Sequence, residues 1–192
     1  MESPDWQRIE RALVVRLDNI GDVVMLTPAL RALREAAPRA HITLLASPAG
    51  AQVAPMLPWV DDVIVERAVW QDISGTPGCG QERDQALIRR LAEGEFEVAF
   101  IFTSFSQSPY PPAYACYLAG IPVRVGQSKE FGGQVLTHWL RSCPDETHQV
   151  ERNLALLRHV GIVASDGQME LRLGPDVLEA AAGLLARAGL AA

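Results

Sequence analysis

The residue best placed to do chemistry is a carboxylate one position after a glycine, where an apolar run gives way to a helical pattern. It is Asp22, in the segment Asp18-Asn19-Ile20-Gly21-Asp22. Gly21 lets the chain turn tightly and lets a ligand approach the backbone without meeting a Cβ. A carboxylate in the first turn of a helix is favoured by the free N–H groups there. Two readings follow. Asp22 is a helix cap and nothing more, or it is a carboxylate facing a cleft that can take a proton as a general base. Position alone leaves both open.

Further groups fall at the ends of other apolar runs. Thr103, Ser104, Ser106 and Gln107 follow the run Val98–Phe102 and could hydrogen-bond sugar hydroxyls or simply cap the loop. Arg16, Arg124 and Arg152 could each hold a phosphate or carboxylate, or be ion-paired within the fold. His148 opens a helical segment, where capping is the plainer role. Trp59, Trp70 and Tyr110 could stack on a sugar ring, although Trp59 also suits packing beneath a strand. Asp61-Asp62 reads as turn chemistry, because no histidine or further carboxylate is close enough in sequence to complete a metal site. Lys129 to Gly133, with Phe131-Gly132-Gly133, reads as a mobile loop.

The elements that must position these groups alternate. Strands are expected at residues 12–17, 41–46, 62–65, 98–102 and 123–125, with an extended piece at 170–173. Helices are expected at 22–37, 48–56, 82–93, 113–119, 148–160 and 176–188, the first ended by Pro38 and the fifth by Gly161. Residues 70–80 read as a glycine-rich loop and 103–112 as a polar loop closed by proline. Apolar strands alternating with helices predict an α/β, Rossmann-like, doubly wound and mostly parallel sheet. Its ligands are expected beyond the carboxyl ends of the strands, where residues 16–22, 103–110 and 124–128 are expected to meet.

Bulk properties narrow the function classes. The 192 residues are 48% hydrophobic and 21% charged, with a formal net charge of -6, so a nucleic-acid partner is not expected. The turn at residues 18–22 is not GxGxxG, and it places an acid where a pyrophosphate needs bare N–H groups; no P-loop occurs. This half is therefore expected to bind nucleotide poorly. Three scattered cysteines without CxxC argue against a disulfide framework or a zinc site. A polar N-terminus and the lack of a run of about 20 apolar residues give a cytoplasmic expectation, with peripheral contact at the inner face of the membrane as an addition.

Four ordered segments resemble glycosyltransferase family 9, the heptosyltransferases of lipopolysaccharide core synthesis. VVRLDNIGDVVMLTPALRALREAAPRAHITLLAS, residues 14–47, is similar to the family's strand, Gly-Asp turn, apolar helix and second strand. Pro58-Trp59-Val60-Asp61 with Val63-Ile64 resembles its approach to the third strand. Residues 119–126, AGIPVRVG, resemble its A-G-I-x-x-R-I-G turn, and His148-Gln149-Val150-Glu151-Arg152-Asn153 through Gly161-Ile162 resembles its late helix.

The resemblance implies a GT-B arrangement of two Rossmann-like domains across a cleft. The N-terminal half would hold the acceptor, a lipopolysaccharide-core or other glycan. The C-terminal half would hold a nucleotide-sugar, typically ADP-heptose, which is a substrate; no cofactor or metal is implied. Transfer would be inverting, with Asp22 as the base, and Arg16, Gly21, Thr103, Ser104, Gln107 and Arg124 on the acceptor. Residues 11–173 then form the acceptor domain, and 174–192 a linker helix toward a donor half absent from this sequence, so little transfer is expected from the chain alone. An acidic chain with one lysine suggests an acceptor other than a conventional lipid A core. The alternative is a non-catalytic Rossmann-like module that binds a sugar or a partner. A nucleotide-binding Rossmann enzyme is the third reading, disfavoured by the missing fingerprint.

Overall fold

In the computed structural model, which describes residues 4–71, 80–141 and 143–190, six parallel strands form one sheet. They are β1 (Arg11–Arg16), β2 (His41–Ala46), β3 (Asp62–Val65), β4 (Val98–Ile101), β5 (Val123–Ser128) and β6 (His138–Arg141), in the order β3-β2-β1-β4-β5-β6. The order reverses between β1 and β4, which opens a crevice beyond their carboxyl ends. Both strands are buried through their length apart from exposed Arg11, as expected of apolar segments at the centre of a sheet covered on both faces.

Helices cover the two faces. They are α1 (Ile20–Val24), α2 (Thr27–Ala36), α3 (Gly80–Glu93), α4 (Tyr110–Leu118) and α5 (Gln149–His159), while α6 (Pro175–Arg187) buries no residue. Ala12, Val14, Ile42, Leu44 and Phe100 pack with Leu30 of α2 and Leu157 of α5 on one face. Leu13, Val15, Leu45 and Ile101 pack with Leu91 of α3 and Cys116 of α4 on the other. The two-residue alternation of a strand produces this division. It also puts Arg16 on the same face as Val14, the face toward α1.

The helix expected at 22–37 is two helices. Pro28 has no N–H to give the Val24 carbonyl and its ring would crowd that carbonyl. Val24 instead accepts a bond from Thr27 Oγ1 at 2.8 Å, and α2 restarts at Thr27. The orphaned Met25 carbonyl accepts from Asn153 Nδ2 of α5 at 3.1 Å. The helix expected at 113–119 begins earlier, at Tyr110, because Pro111 and Pro112 occupy a first turn whose N–H groups need no helical partner. Residues 50–56 are a 3-10 helix, and Gly161, at φ +83°, ends α5 as expected.

Two further differences concern the far edge of the sheet. The strand expected at 123–125 runs on to Ser128, and His138–Arg141 adds a sixth strand that was not expected. The segment before it is held in place. Tyr110 Oη donates to the Glu130 carbonyl, the Gly132 backbone lies against the Tyr110 ring, and Phe131 meets Trp139 at 5.6 Å between ring centroids. The expected extended piece at 170–173 joins no sheet, but Arg172 N donates to the Met56 carbonyl at 2.8 Å. Most of the loop expected at 70–80, with Cys79, lies outside the described residues.

Candidate functional site

Arg16 ends β1 with a fully buried side chain. A guanidinium without water needs compensating charge, and two carboxylates from the following turn supply it. Arg16 Nη2 donates to Asp22 Oδ1 at 2.8 Å and to Ser104 Oγ at 3.2 Å. Its Nε lies 2.9 Å from Asp18 Oδ2, an ion pair lacking the alignment of a hydrogen bond, and its buried Nη1 has no hydrogen-bond partner. Asp22 Oδ2 accepts from the Asn19 N–H at 3.1 Å, so Asp22 closes a capping box as the third residue of α1. Ser104 Oγ, 3.4 Å from Asp22 Oδ1, brings the tail of β4 to the same carboxylate.

Asp18 is the more deeply placed acid, with a side chain 5% exposed against 19% for Asp22. Burial raises its carboxyl from the ordinary value of 3.8; Arg16 and a hydrogen bond from Gln107 act against that rise, and the charge of Asp22 adds to it. The turn is anchored from behind, because Ser47 Oγ donates to the Asp18 carbonyl at 2.5 Å and accepts from Gly50 N at 2.9 Å.

Two clefts flank the tail of β4. The wider, about 780 Å³, is lined by Asp18, Asn19, Glu66, Arg67, Trp70 and Gln107, among others. The narrower, about 180 Å³, opens between the ends of β4 and β5; Thr103, Ser104, Gln107, Gln127, Lys129 and Arg152 contribute to it. Gln127 is buried there, and its Nε2 has no hydrogen-bond partner.

Of the residues singled out in the sequence, the fold gathers Arg16, Gly21, Asp22, Ser104 and Gln107 around one turn, with Thr103 on the adjoining cleft. The Thr103 carbonyl accepts from Gln149 Nε2 at 3.2 Å. Gly21 has no positive φ, so the turn itself does not demand glycine; open space lies where its Cβ would be.

Arg124 is not brought to this cluster. Because β5 extends to Ser128, Arg124 pairs with Ala99, which is level with Leu13, about 10 Å short of Arg16 along the sheet. Its guanidinium is directed to the carbonyls of Ile121, Pro122, Gln134 and Val135, over the Tyr117 ring. It is buried and holds the β5–β6 connection. Asp18, Glu66, Arg67 and Gln127 are among the cleft residues that sequence reasoning did not select. For Asp18 the available signal was a second acid four residues before Asp22.

His148, Trp59 and Asp61 have structural partners. His148 caps α5, its Nδ1 accepting from Val150 N at 3.3 Å. Trp59 packs on the core with Arg31 above its ring. Asp61 accepts from Ile42 N and from Arg34, which hold its carboxyl below 3.8 although burial pulls it upward. Burial pushes the Cys116 thiol up to about 12, so it is no nucleophile at neutral pH. Among the described residues, no helix is long and apolar enough to cross a membrane, and no group of three or more His, Cys, Asp or Glu could hold a metal ion.

No protein-family model and no curated protein matches the sequence. Solved structures do match. A family 9 glycosyl transferase from Veillonella parvula superposes with a TM-score of 0.68 at 19% identity, over 98% of this chain and 51% of that one. The ADP-heptose lps heptosyltransferase II of E. coli gives 0.65 at 20% identity, over 91% and 50%. The E. coli heptosyltransferase WaaC with ADP-2-deoxy-2-fluoro heptose gives 0.63 at 18%, over 83% and 51%. This chain thus spans about half the length of each of these structures, and its six-stranded sheet has the fold of half of a family 9 heptosyltransferase.

Proposed function

We propose that this chain is the acceptor-binding half of an inverting glycosyltransferase, with Asp22 as the general base. The observation that carries the reading is the Asp22 carboxylate, held by Arg16 and Ser104 at the sheet's switch point, with Ser104 on the narrower cleft and Asp18 of the same turn on the wider one. An acceptor alcohol is a weak nucleophile. As its oxygen bonds to the anomeric carbon, Asp22 takes the hydroxyl proton, the carbon–phosphate-oxygen bond breaks on the opposite face, and the electron pair leaves with the nucleoside diphosphate. Ser104 and Gln107 orient the acceptor, and the rigid turn supplies the alignment that makes attack effectively intramolecular.

The donor in this reading is a heptose or related nucleotide-sugar held by a second domain, and the acceptor a lipopolysaccharide-core or other glycan. Similarity to half of ADP-heptose-dependent enzymes supports the donor class. The missing glycine fingerprint supports its placement elsewhere. α6 supports a second domain: it buries none of its residues, and Leu178, Leu184 and Leu185 are each about half exposed or more. Residues 174–192 would then be the linker helix.

Amide NMR of the chain tests the reading. A core oligosaccharide should perturb Gly21, Asp22, Ser104 and Gln107, while ADP alone should leave them unmoved. Tight ADP binding at that turn would overturn the assignment. The half-length match keeps a second reading in play, a non-catalytic sugar-binding module. It predicts the same perturbations, but no transfer by a protein that joins this chain to a donor-binding half, with or without Asp22.

A further inference from the structure

The wider cleft has the size and lining of a ligand site in its own right. Its volume of about 780 Å³ falls within the range of roughly 300–1,000 Å³ usual for small-molecule sites, and the narrower cleft falls below it. Trp70 belongs to a short 3-10 turn, Val69–Gln71, after β3. It is partly buried, packs against the core on the α3 and α4 side of the sheet, and also lines the cleft. The indole is thus fixed by packing and still offered to a ligand, which lowers the entropy cost of binding. The wall around it is mixed: Leu17 and Pro48 are apolar, while Glu66, Arg67 and Gln107 are polar. An aromatic surface ringed by carboxylate, guanidinium and amide groups matches a pyranose ring, which has an apolar C–H face and a hydroxyl-bearing edge.

We propose that the wider cleft is a second sugar subsite for the acceptor, in which an uncharged ring stacks on Trp70 and its hydroxyls meet Glu66, Arg67 and Gln107. The inference rests on the acceptor reading above and narrows it to an oligosaccharide with an unphosphorylated ring beside the one that reacts. Charge decides against a phosphorylated ring. Among the described residues on the wall, the acids are Asp18 and Glu66 and the one cation is Arg67, so a phosphate would meet one guanidinium and two like charges. Glu66 is held in place, its Oε1 accepting from Arg67 N at 3.0 Å and lying 3.8 Å from Arg83 Nε. The subsite is joined to the proposed reaction centre through Gln107, which lines both clefts. Ser104 N donates to Gln107 Oε1 at 3.4 Å, and Ser104 Oγ lies 3.4 Å from Asp22 Oδ1. The indole Nε1 of Trp70 makes no hydrogen bond among the described residues, so packing alone holds the ring. Phenylalanine therefore keeps an aromatic platform without losing a polar contact, and leucine removes the platform.

The test titrates the 192-residue chain with maltose, lactose and cellobiose, and with the 6′-phosphate of each, while proton–nitrogen NMR spectra are recorded. The Trp70 indole N–H is assigned by its loss in Trp70→Phe. At least one neutral disaccharide should shift that indole and the amides of Glu66, Arg67 and Gln107, and its 6′-phosphate should bind about fivefold more weakly or worse. Trp70→Leu should weaken binding by about tenfold, and Trp70→Phe by about threefold or less. A Trp70 indole unmoved by all three neutral sugars would overturn the proposal. So would a phosphorylated disaccharide that binds as tightly as its neutral counterpart, or undiminished binding by a folded Trp70→Leu chain. The two readings fail separately when a core oligosaccharide is added. Shifts at Trp70 with none at Gly21 and Asp22 would overturn the acceptor reading and leave a sugar site at Trp70; the reverse pattern would overturn the subsite alone.

Discussion

At the residue scale the site is a problem in compensation. Arg16 is buried only because Asp18, Asp22 and Ser104 meet it, so replacing it removes a cation and strands two acids. Arg16→Met should cost about 3–5 kcal/mol of stability, read from urea unfolding. Asp18 carries a pH signature. Asp18 is raised from 3.8 by burial, so the folded state holds that proton more tightly than the unfolded state. Its contribution to stability must therefore decline as pH climbs from 3.8 through the raised folded value. Unfolding midpoints of Asp18→Asn should lack that decline; an unchanged slope would show that Asp18 is not the group responsible. The meeting of Arg16, Asp22, Ser104 and Gln107 was legible because they lie at the end of an apolar run or in the turn after one, where the carboxyl ends of parallel strands converge. Arg124 was misplaced by the same reasoning. The polar Gln127-Ser128 hid the true end of β5, and three residues of strand carried Arg124 about 10 Å away.

Among the elements, the turn after β1 is set by what packs on it. The 3-10 helix at Gly50–Met56 lies so close to α1 that a Cβ on Gly50 would come within 2.9 Å of Val23 Cγ2 and 3.3 Å of the Asp18 carbonyl. Gly50→Ala should cost about 1–3 kcal/mol by overpacking. It should also shift the amide resonances of residues 18–24; a silent substitution there would mean α1 is not seated on this glycine. α5 contributes an amide relay. Gln149 Nε2 donates to Thr103 O and to Asn153 Oδ1, while Asn153 Nδ2 donates to Met25 O. One helix thus ties the tail of β4 to the end of α1. Asn153→Leu should lose about 1–3 kcal/mol by leaving the Met25 carbonyl without its donor. Strands with unbroken apolar runs were legible, β2 and β3 to the residue. The break at Pro28 and the strand β6 were not: a proline two residues into a new helix reads like one inside an old helix, and His138–Arg141 has a mixed polar and apolar pattern.

Across the whole molecule, the sheet and its two helical layers account for the core, and α6 stands outside it. Removing residues after Leu173 should leave the unfolding free energy within about 0.5 kcal/mol of the full chain, as for surface changes away from the core. A large loss would show that α6 supports the sheet. The fold class was legible as a whole because alternation of apolar strand and amphipathic helix admits few arrangements. The pairing of Arg16 with two acids was not, since it depends on which face of β1 that residue takes and on how the following turn folds back. The account as a whole stands on Asp22. The most direct measurement is kcat/KM for transfer by a protein joining this chain to a nucleotide-sugar-binding half, compared with its Asp22→Asn variant at equal folded concentration. A fall of about a hundred- to ten-thousand-fold is predicted; transfer at the unsubstituted rate would contradict it.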